Sequence, residues 1–210
     1  MRSVLVVDDH QLVRDGLKSV LREHAAATLF GEANTAADAS RLIRERDWDL
    51  AVVDITLGGT SGLDVVKDIK NIRPRVPILV LSMHSEEQYA RRAFRAGAAG
   101  YITKSSSRTE LAGAIRKVIA GGRYVSPELA EQLAADLERD TEGPPHRALS
   151  NREFEVMRLM GSGRTVGEIA ELLGISDKTV STYRARILEK MQVKTNAELI
   201  RYIIENNLLD

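Results

Sequence analysis

The stretch Leu50-Ala51-Val52-Val53-Asp54 decides the fold. Four apolar residues run without interruption into a carboxylate, the pattern of a short strand buried on both faces of a parallel sheet. Such a strand delivers its last residue to the carboxyl edge of the sheet, where open α/β sheets place their ligands. The same form recurs at Val4-Leu5-Val6-Val7-Asp8-Asp9, at Pro77-Ile78-Leu79-Val80-Leu81-Ser82 and at Gly100-Tyr101-Ile102-Thr103-Lys104. These runs end in carboxylates, a hydroxyl and an ammonium. A further strand is expected over Thr28–Ala33.

Helical patterns lie between the strands. Leu12, Val13, Leu17, Val20 and Leu21 recur at helical spacing and predict a buried stripe. Thr35 with Asp38, Ser107 with Glu110 and Ser150 with Glu153 read as helix starts of the capping-box kind. Leu63, Val65, Val66, Ile69 and Ile72 form a helix that Arg73-Pro74 ends, and Ser85 opens another that reaches Ala96. Strands alternating with helices predict an α/β fold over residues 1–122, a doubly wound five-stranded parallel sheet. From Ser150 the pattern is all-helical, with helices over Thr165–Leu173, Ser176–Met191 and Asn196–Asn206. The turn Gly174-Ile175 between two of them marks a helix-turn-helix. Residues 148–210 are therefore expected to be a second, all-α domain. Residues 123–147 are expected to be a linker with a helical part from Ser126 to Arg139 and a break at Thr141–Pro145.

A chain of 210 residues has room for two cores. Its 30 basic and 30 acidic residues cancel, so any nucleic-acid partner must be read from a local patch. The absence of Cys excludes disulfides, thiol nucleophiles and Cys-based metal sites. The apolar run Val4–Val7 is too short for a signal sequence or a membrane span, and the expectation is a cytoplasmic protein with no membrane partner.

Asp8, Asp9, Asp54, Ser82 and Lys104 stand at the ends of different strands and can converge on one crevice. Three carboxylates so close need a counter-charge. A hard divalent cation supplies it, and an oxygen donor set selects Mg²⁺. A carboxylate kept anionic in this way can attack a phosphoryl group, with an ammonium and a hydroxyl to meet the transferred oxygens. His10 and His84 flank the crevice and read as polar surface residues. Gly58–Gly62 lacks the ending of a phosphate-binding loop and reads as a flexible turn.

Asp8-Asp9-His10, Asp54, Ser82 and Tyr101-Ile102-Thr103-Lys104 resemble the receiver domain of two-component response regulators. The resemblance implies a flavodoxin-like fold with Asp54 as phosphoacceptor, Asp9 as a direct Mg²⁺ ligand and Asp8 as a ligand through water. It also implies that the Thr56 backbone carbonyl completes the metal site, and that Tyr101 turns inward when Ser82 closes on the phosphoryl group. The chain departs from the family at two places where proline is frequent, Gly58 and Ser105. The second weighs against the cis peptide by which the family orients its lysine, since a non-proline cis bond costs about 3 kcal/mol.

In Ser176–Met191 the apolar stripe is Val180, Ile187, Leu188 and Met191. Lys178, Ser181, Thr182 and Ala185 share another face, small and polar enough to enter a major groove. Arg184, Arg186, Lys190 and Lys194 flank it as phosphate clamps, and residues 176–194 hold five basic and two acidic residues. Leu149-Ser150-Asn151-Arg152-Glu153, Glu168-Ile169-Ala170, Gly174-Ile175-Ser176 and Lys178-Thr179-Val180 are similar to the LuxR-type helix-turn-helix of NarL/FixJ response regulators. That likeness adds Thr179 and Tyr183 to the expected DNA contacts, and it places an aliphatic residue where this chain has Arg184.

The sequence thus reads as a DNA-binding transcriptional response regulator and not an enzyme. The two resemblances imply that a sensor histidine kinase phosphorylates Asp54 with Mg²⁺, and that phosphorylation controls homodimerisation and binding to an inverted-repeat promoter site. Leu199, Ile200, Ile203 and Ile204 either form the dimer contact or close the small core. Two rivals remain: a DNA-binding regulator independent of phosphorylation, and a Mg²⁺-dependent aspartyl phosphatase.

Overall fold

The computed structural model describes residues 2–57, 60–83, 86–131 and 144–209. It divides into two compact units, Met1–Glu138 and Arg139–Asp210. Gly58, His84, the Ser85 helix start, the linker stretch 141–143 and the linker helix beyond residue 131 lie outside the described residues.

In the first unit, strands β1 (Arg2–Val7), β2 (Ala27–Ala33) and β3 (Leu50–Asp54) alternate with helices α1 (Gln11–Ala25) and α2 (Ala36–Glu45). The short strands β4 (Thr56–Leu57) and β5 (Thr60–Ser61) precede α3 (Gly62–Ile72). Then follow β6 (Ile78–Ser82), α4 (Glu86–Ala96), β7 (Gly100–Thr103) and α5 (Arg108–Ile119). All main-sheet pairs are parallel and the strand order is β2-β1-β3-β6-β7, the flavodoxin-like order. The uninterrupted apolar runs have the predicted cause, since Val4 to Val7 and Leu50 to Val53 are each no more than 1% exposed. One face of the sheet packs on Leu17, Val20 and Leu21 of α1 and on Ala112, Ile115 and Val118 of α5. α2, α3 and α4 pack in sequence with one another, α2 against β1 and β2, α3 against β3 and α4 against β7.

Two details differ from expectation. Leu12, expected in the buried stripe of α1, is 85% exposed. It lies nine residues from the buried Leu21, about half a turn around a helix with roughly 100° per residue. The stretch expected as a flexible turn is partly regular, because Thr56 pairs with Ser61 and Leu57 with Thr60 as an antiparallel ribbon, and Gly62 begins α3. The chain also stays on the sheet after α5, where Tyr124 bridges to Gly100, accepts from Tyr101 N and donates to Ala99 O. Ser126 then accepts from Leu129 N and opens the helical residues 127–131.

The second unit holds a 3₁₀ turn (Pro145–Ala148) and helices α6 (Asn151–Gly161), α7 (Val166–Leu173), α8 (Asp177–Met191) and α9 (Asn196–Glu205). Ser150 with Glu153 and Thr165 with Glu168 form complete capping boxes. Gly174 ends α7 at φ 60°, a left-handed conformation that glycine adopts without strain, and Ser176 then caps α8. The core gathers Phe154, Val156, Met157, Ile169, Leu173, Val180, Ile187, Leu199 and Ile203.

Glu153 does two things with one carboxylate. It is 3% exposed, its Oε2 accepts from Ser150 N at 2.7 Å, and the same oxygen accepts from Lys190 Nζ at 2.6 Å. Burial opposes the charge, but the Lys190 ammonium and the Ser150 donors outweigh it and hold the carboxyl below the usual carboxylate range. A depressed folded-state pKa means that the unfolded chain binds more protons. The stability this contributes is present above the ordinary value of 4.5 and is lost as pH falls through the folded value. Glu153→Gln is therefore expected to cost about 1–3 kcal/mol at pH 7. It should also shrink the acid-side loss of stability, as read by calorimetric melts of the second unit's transition between pH 3 and 7.

Candidate functional site

The register of the sheet assembles the site. Val7 pairs with Val53, so the next residue on each strand, Asp8 and Asp54, stands at the same level. Asp8 N donates to Ala33 O, Ile55 N to Leu81 O and Lys104 N to Ser82 O, which extends the ladder past the strand ends. Asp8, Asp54 and Ser82 are buried, at 0%, 3% and 0% exposure. Lys104 Nζ lies 2.8 Å from Asp8 Oδ2 and 2.7 Å from Asp54 Oδ2, so one ammonium bridges two carboxylates from different strands. The described peptide bonds, Lys104–Ser105 among them, include no cis bond.

Burial pushes the Asp54 carboxyl above the usual carboxylate range, with Asp8 adding to the rise and Lys104 and the Thr56 backbone hydrogen bond opposing it. Burial also acts against the Lys104 ammonium, but its hydrogen bonds to Asp54 and Asp8 prevail and raise its pKa. Burial thus opposes the Asp54 charge and the Lys104 ammonium favours it.

Asp8, Asp9, His10 and Asp54 can each present one ligand atom within 4.8 Å of the others. Three of the four donors are carboxylate oxygens, the set a hard divalent cation selects, so the residues fit Mg²⁺. His10, read from sequence as a surface residue, is drawn into this group. Its ring is 65% exposed, its Nδ1 lies 2.8 Å from Asp9 Oδ1, and its backbone N–H donates to Asp8 Oδ1 at 2.8 Å. Thr56 stands at the start of the β4–β5 ribbon beside Asp54, and Tyr101 is fully buried on β7.

Gly62 is a site residue that the sequence reading missed. Its N–H donates to Ile55 O at 2.6 Å, and a Cβ added there would lie 1.8 Å from the Asp54 carbonyl oxygen. The helix start therefore presses on the backbone of Asp54. The available signal was a glycine at the end of a polar loop just before an apolar helix, which is too common to single out.

On α8, Lys178, Ser181, Thr182, Ala185 and Arg186 are exposed and Val180, Ile187 and Met191 are buried, while Leu188, expected in the same apolar stripe, is half-buried. Thr179 shares its hydroxyl with the Ser176 cap at 2.8 Å, Thr182 donates to Lys178 O at 2.9 Å, and Tyr183 is half-buried. Arg184 Nε donates to Asn196 Oδ1 of α9 at 2.9 Å, and Lys190 is engaged with Glu153. Both were expected on phosphate, and both have partners inside the unit. Leu199 and Ile203 close the core, Ile200 is half-buried and Ile204 is 59% exposed.

Residues 4–116 match the model of the response regulator receiver domain, and residues 147–203 match that of the bacterial regulatory proteins of the luxR family. The chain is 35% identical to the response regulator GacA of Pseudomonas aeruginosa over 100% of this chain and 99% of that protein. It is 34% identical to the response regulator UvrY of Escherichia coli over 99% of this chain and 96% of that protein. A LuxR-family two-component response regulator from Aurantimonas has a similar structure, with 36% identity and a TM-score of 0.61 over 66% of this chain and 99% of that one. RcsB from Salmonella enterica serovar Typhimurium, bound to promoter rprA in the presence of phosphomimetic BeF3-, is similar at 25% identity and a TM-score of 0.66, covering 96% and 97%.

Gly62→Ala is expected to destabilise the first unit by about 3 kcal/mol or more, because backbone on both sides must move to admit the methyl. Thermal melts followed through Trp48 fluorescence measure it. A near-native melting temperature would contradict the close approach.

Proposed function

Because this chain belongs to the two-component response regulators of the LuxR family, we propose that Asp54 accepts a phosphoryl group from a partner histidine kinase and that phosphorylation governs promoter binding by the second unit. The observation that carries this reading is the Lys104 ammonium shared by Asp8 and Asp54 at the carboxyl edge of a parallel sheet. An Asp54 carboxylate oxygen forms the new P–O bond as the P–N bond of the donor histidine breaks, and the donor nitrogen leaves with the bonding pair. Lys104 is placed to follow the charge from the carboxylates onto the phosphoryl oxygens. The Ser82 hydroxyl, at the end of the neighbouring strand, donates to the same group, and Tyr101 on β7 fills the interior behind it. Asp8, Asp9, Asp54 and the Thr56 carbonyl would hold Mg²⁺, which supplies neutralising charge for the phosphoryl oxygens.

In the second unit, α8 enters the major groove with Lys178, Ser181 and Thr182 toward base edges and Arg186 toward phosphate. The similarity to RcsB, whose structure is bound to promoter rprA, supports promoter DNA as the partner. The protein works in the cytoplasm as a homodimer on an inverted repeat, with the exposed Ile204 of α9 part of the contact. No helix among the described residues is long and apolar enough to cross a membrane.

Acetyl phosphate with Mg²⁺ is expected to label wild-type protein at one phosphoryl per chain and to leave Asp54→Ala unlabelled. Labelled wild type should bind its promoter more tightly than the variant does. Equal DNA affinity of the variant would favour a regulator independent of phosphorylation, and turnover beyond one phosphoryl group on a phosphomonoester would favour a phosphatase. In binding-site selection, Ser181→Ala or Thr182→Ala is expected to relax preference at one base position by about 1–3 kcal/mol. Arg186→Ala should instead weaken all sites alike and lower the salt slope by about 1.

A further inference from the structure

Arg14 is a charged side chain that the sheet edge buries and the phosphoryl chemistry does not use. It lies on α1 at 8% exposure. Its Nη1 donates to the Asp8 carbonyl oxygen at 2.7 Å, its Nε to Glu32 Oε2 at 3.1 Å, and its Nη2 to Gln11 Oε1. Glu32, on the neighbouring strand β2, is held in turn by Lys18 Nζ at 2.6 Å. The fork thus reaches three acceptors: one just past β1, one on β2 and one in the first turn of α1. The planar guanidinium does this with three separate nitrogens in a fixed fork, where an ammonium would have to bring all three acceptors to one nitrogen.

The acceptor at Asp8 is the informative one. Its carbonyl belongs to the peptide plane that joins Asp8 to Asp9, so the direction of that oxygen sets ψ of Asp8 and φ of Asp9 together. The Asp8 side chain is fixed separately, by His10 N at 2.8 Å and by Lys104 Nζ at 2.8 Å. Arg14 therefore supplies what those bonds leave open, the orientation of the backbone from which both carboxylates project. Burying a cation is costly unless it is well paired, and here the pairing is arranged around the acidic turn.

We infer that Arg14 is a positioning residue for divalent-cation binding: by holding the Asp8–Asp9 peptide plane it presents the two carboxylates as one ligand set. This rests on the reading of Asp8 and Asp9 as the cation site. Partners that orient metal ligands without touching the metal are worth about 10–100-fold in affinity when removed.

The test is a Mg²⁺ titration of the full chain, followed by amide shifts of residues 8–10 and 54–57, for wild type and Arg14→Met. The same proteins are then labelled with acetyl phosphate across a Mg²⁺ series. The folded variant is expected to bind Mg²⁺ at least about tenfold more weakly. The loss should fall on the Mg²⁺ concentration needed for half-maximal labelling and not chiefly on the maximal rate, a split that simple loss of folded protein does not produce. A folded Arg14→Met with the wild-type dissociation constant overturns the inference. If the Met variant does not fold, Arg14→Lys is judged by the same criterion, since it keeps the charge and loses the fork. Wild type that binds no Mg²⁺ overturns the cation-site reading itself, which the variant comparison alone does not.

Discussion

The first unit depends on one ammonium serving two carboxylates. Asp8 and Asp54 project from adjacent strands at the same level and are both buried, and like charges so placed cannot both ionise without compensation. Lys104 comes from across β6 and reaches both at hydrogen-bond distance. The strand order puts these groups at the point beside β1 where the order of strand addition across the sheet reverses, and the ladder bonds that continue past the strand ends keep them there. A site so balanced is neutral enough to fold and keeps charge for the proposed cation and phosphoryl group.

The second unit solves a different problem, holding four short helices around a small core. Here polar side chains at helix starts do much of the arranging. Ser150, Thr165, Ser176 and Thr195 each accept a backbone N–H, and Glu153 extends its cap into an ion pair with α8. The recognition face is consequently positioned from behind, by Val180, Ile187 and Met191 in the core and by Lys190 and Arg184 at the sides.

The architecture was legible because the central strands β1, β3 and β6 are uninterrupted apolar runs, and the candidate site because a polar or charged residue stands at the end of each such run. Asp54, Ser82 and Lys104 needed no knowledge of packing to be picked out. What stayed hidden depends on contacts between residues far apart in sequence. Arg14 looks like an ordinary polar position on an amphipathic helix until Glu32 arrives from the next strand, and Lys190 looks like a phosphate clamp until Glu153 arrives from 37 positions away. Leu12 was misplaced because helical spacing alone does not say which of two adjoining stripes meets the sheet.

Gly62 shows how packing can imitate catalysis in evolution. Every other amino acid brings a Cβ, and that atom would overlap the Asp54 carbonyl oxygen, so no substitution at this position leaves the fold at rest. Selection would hold the residue as firmly as Asp54 itself, although Gly62 has no side chain to offer the site. Invariance at position 62 among relatives would accordingly record a steric prohibition, and loss of signalling in a Gly62 variant would say nothing about chemistry until the fold of that variant had been measured.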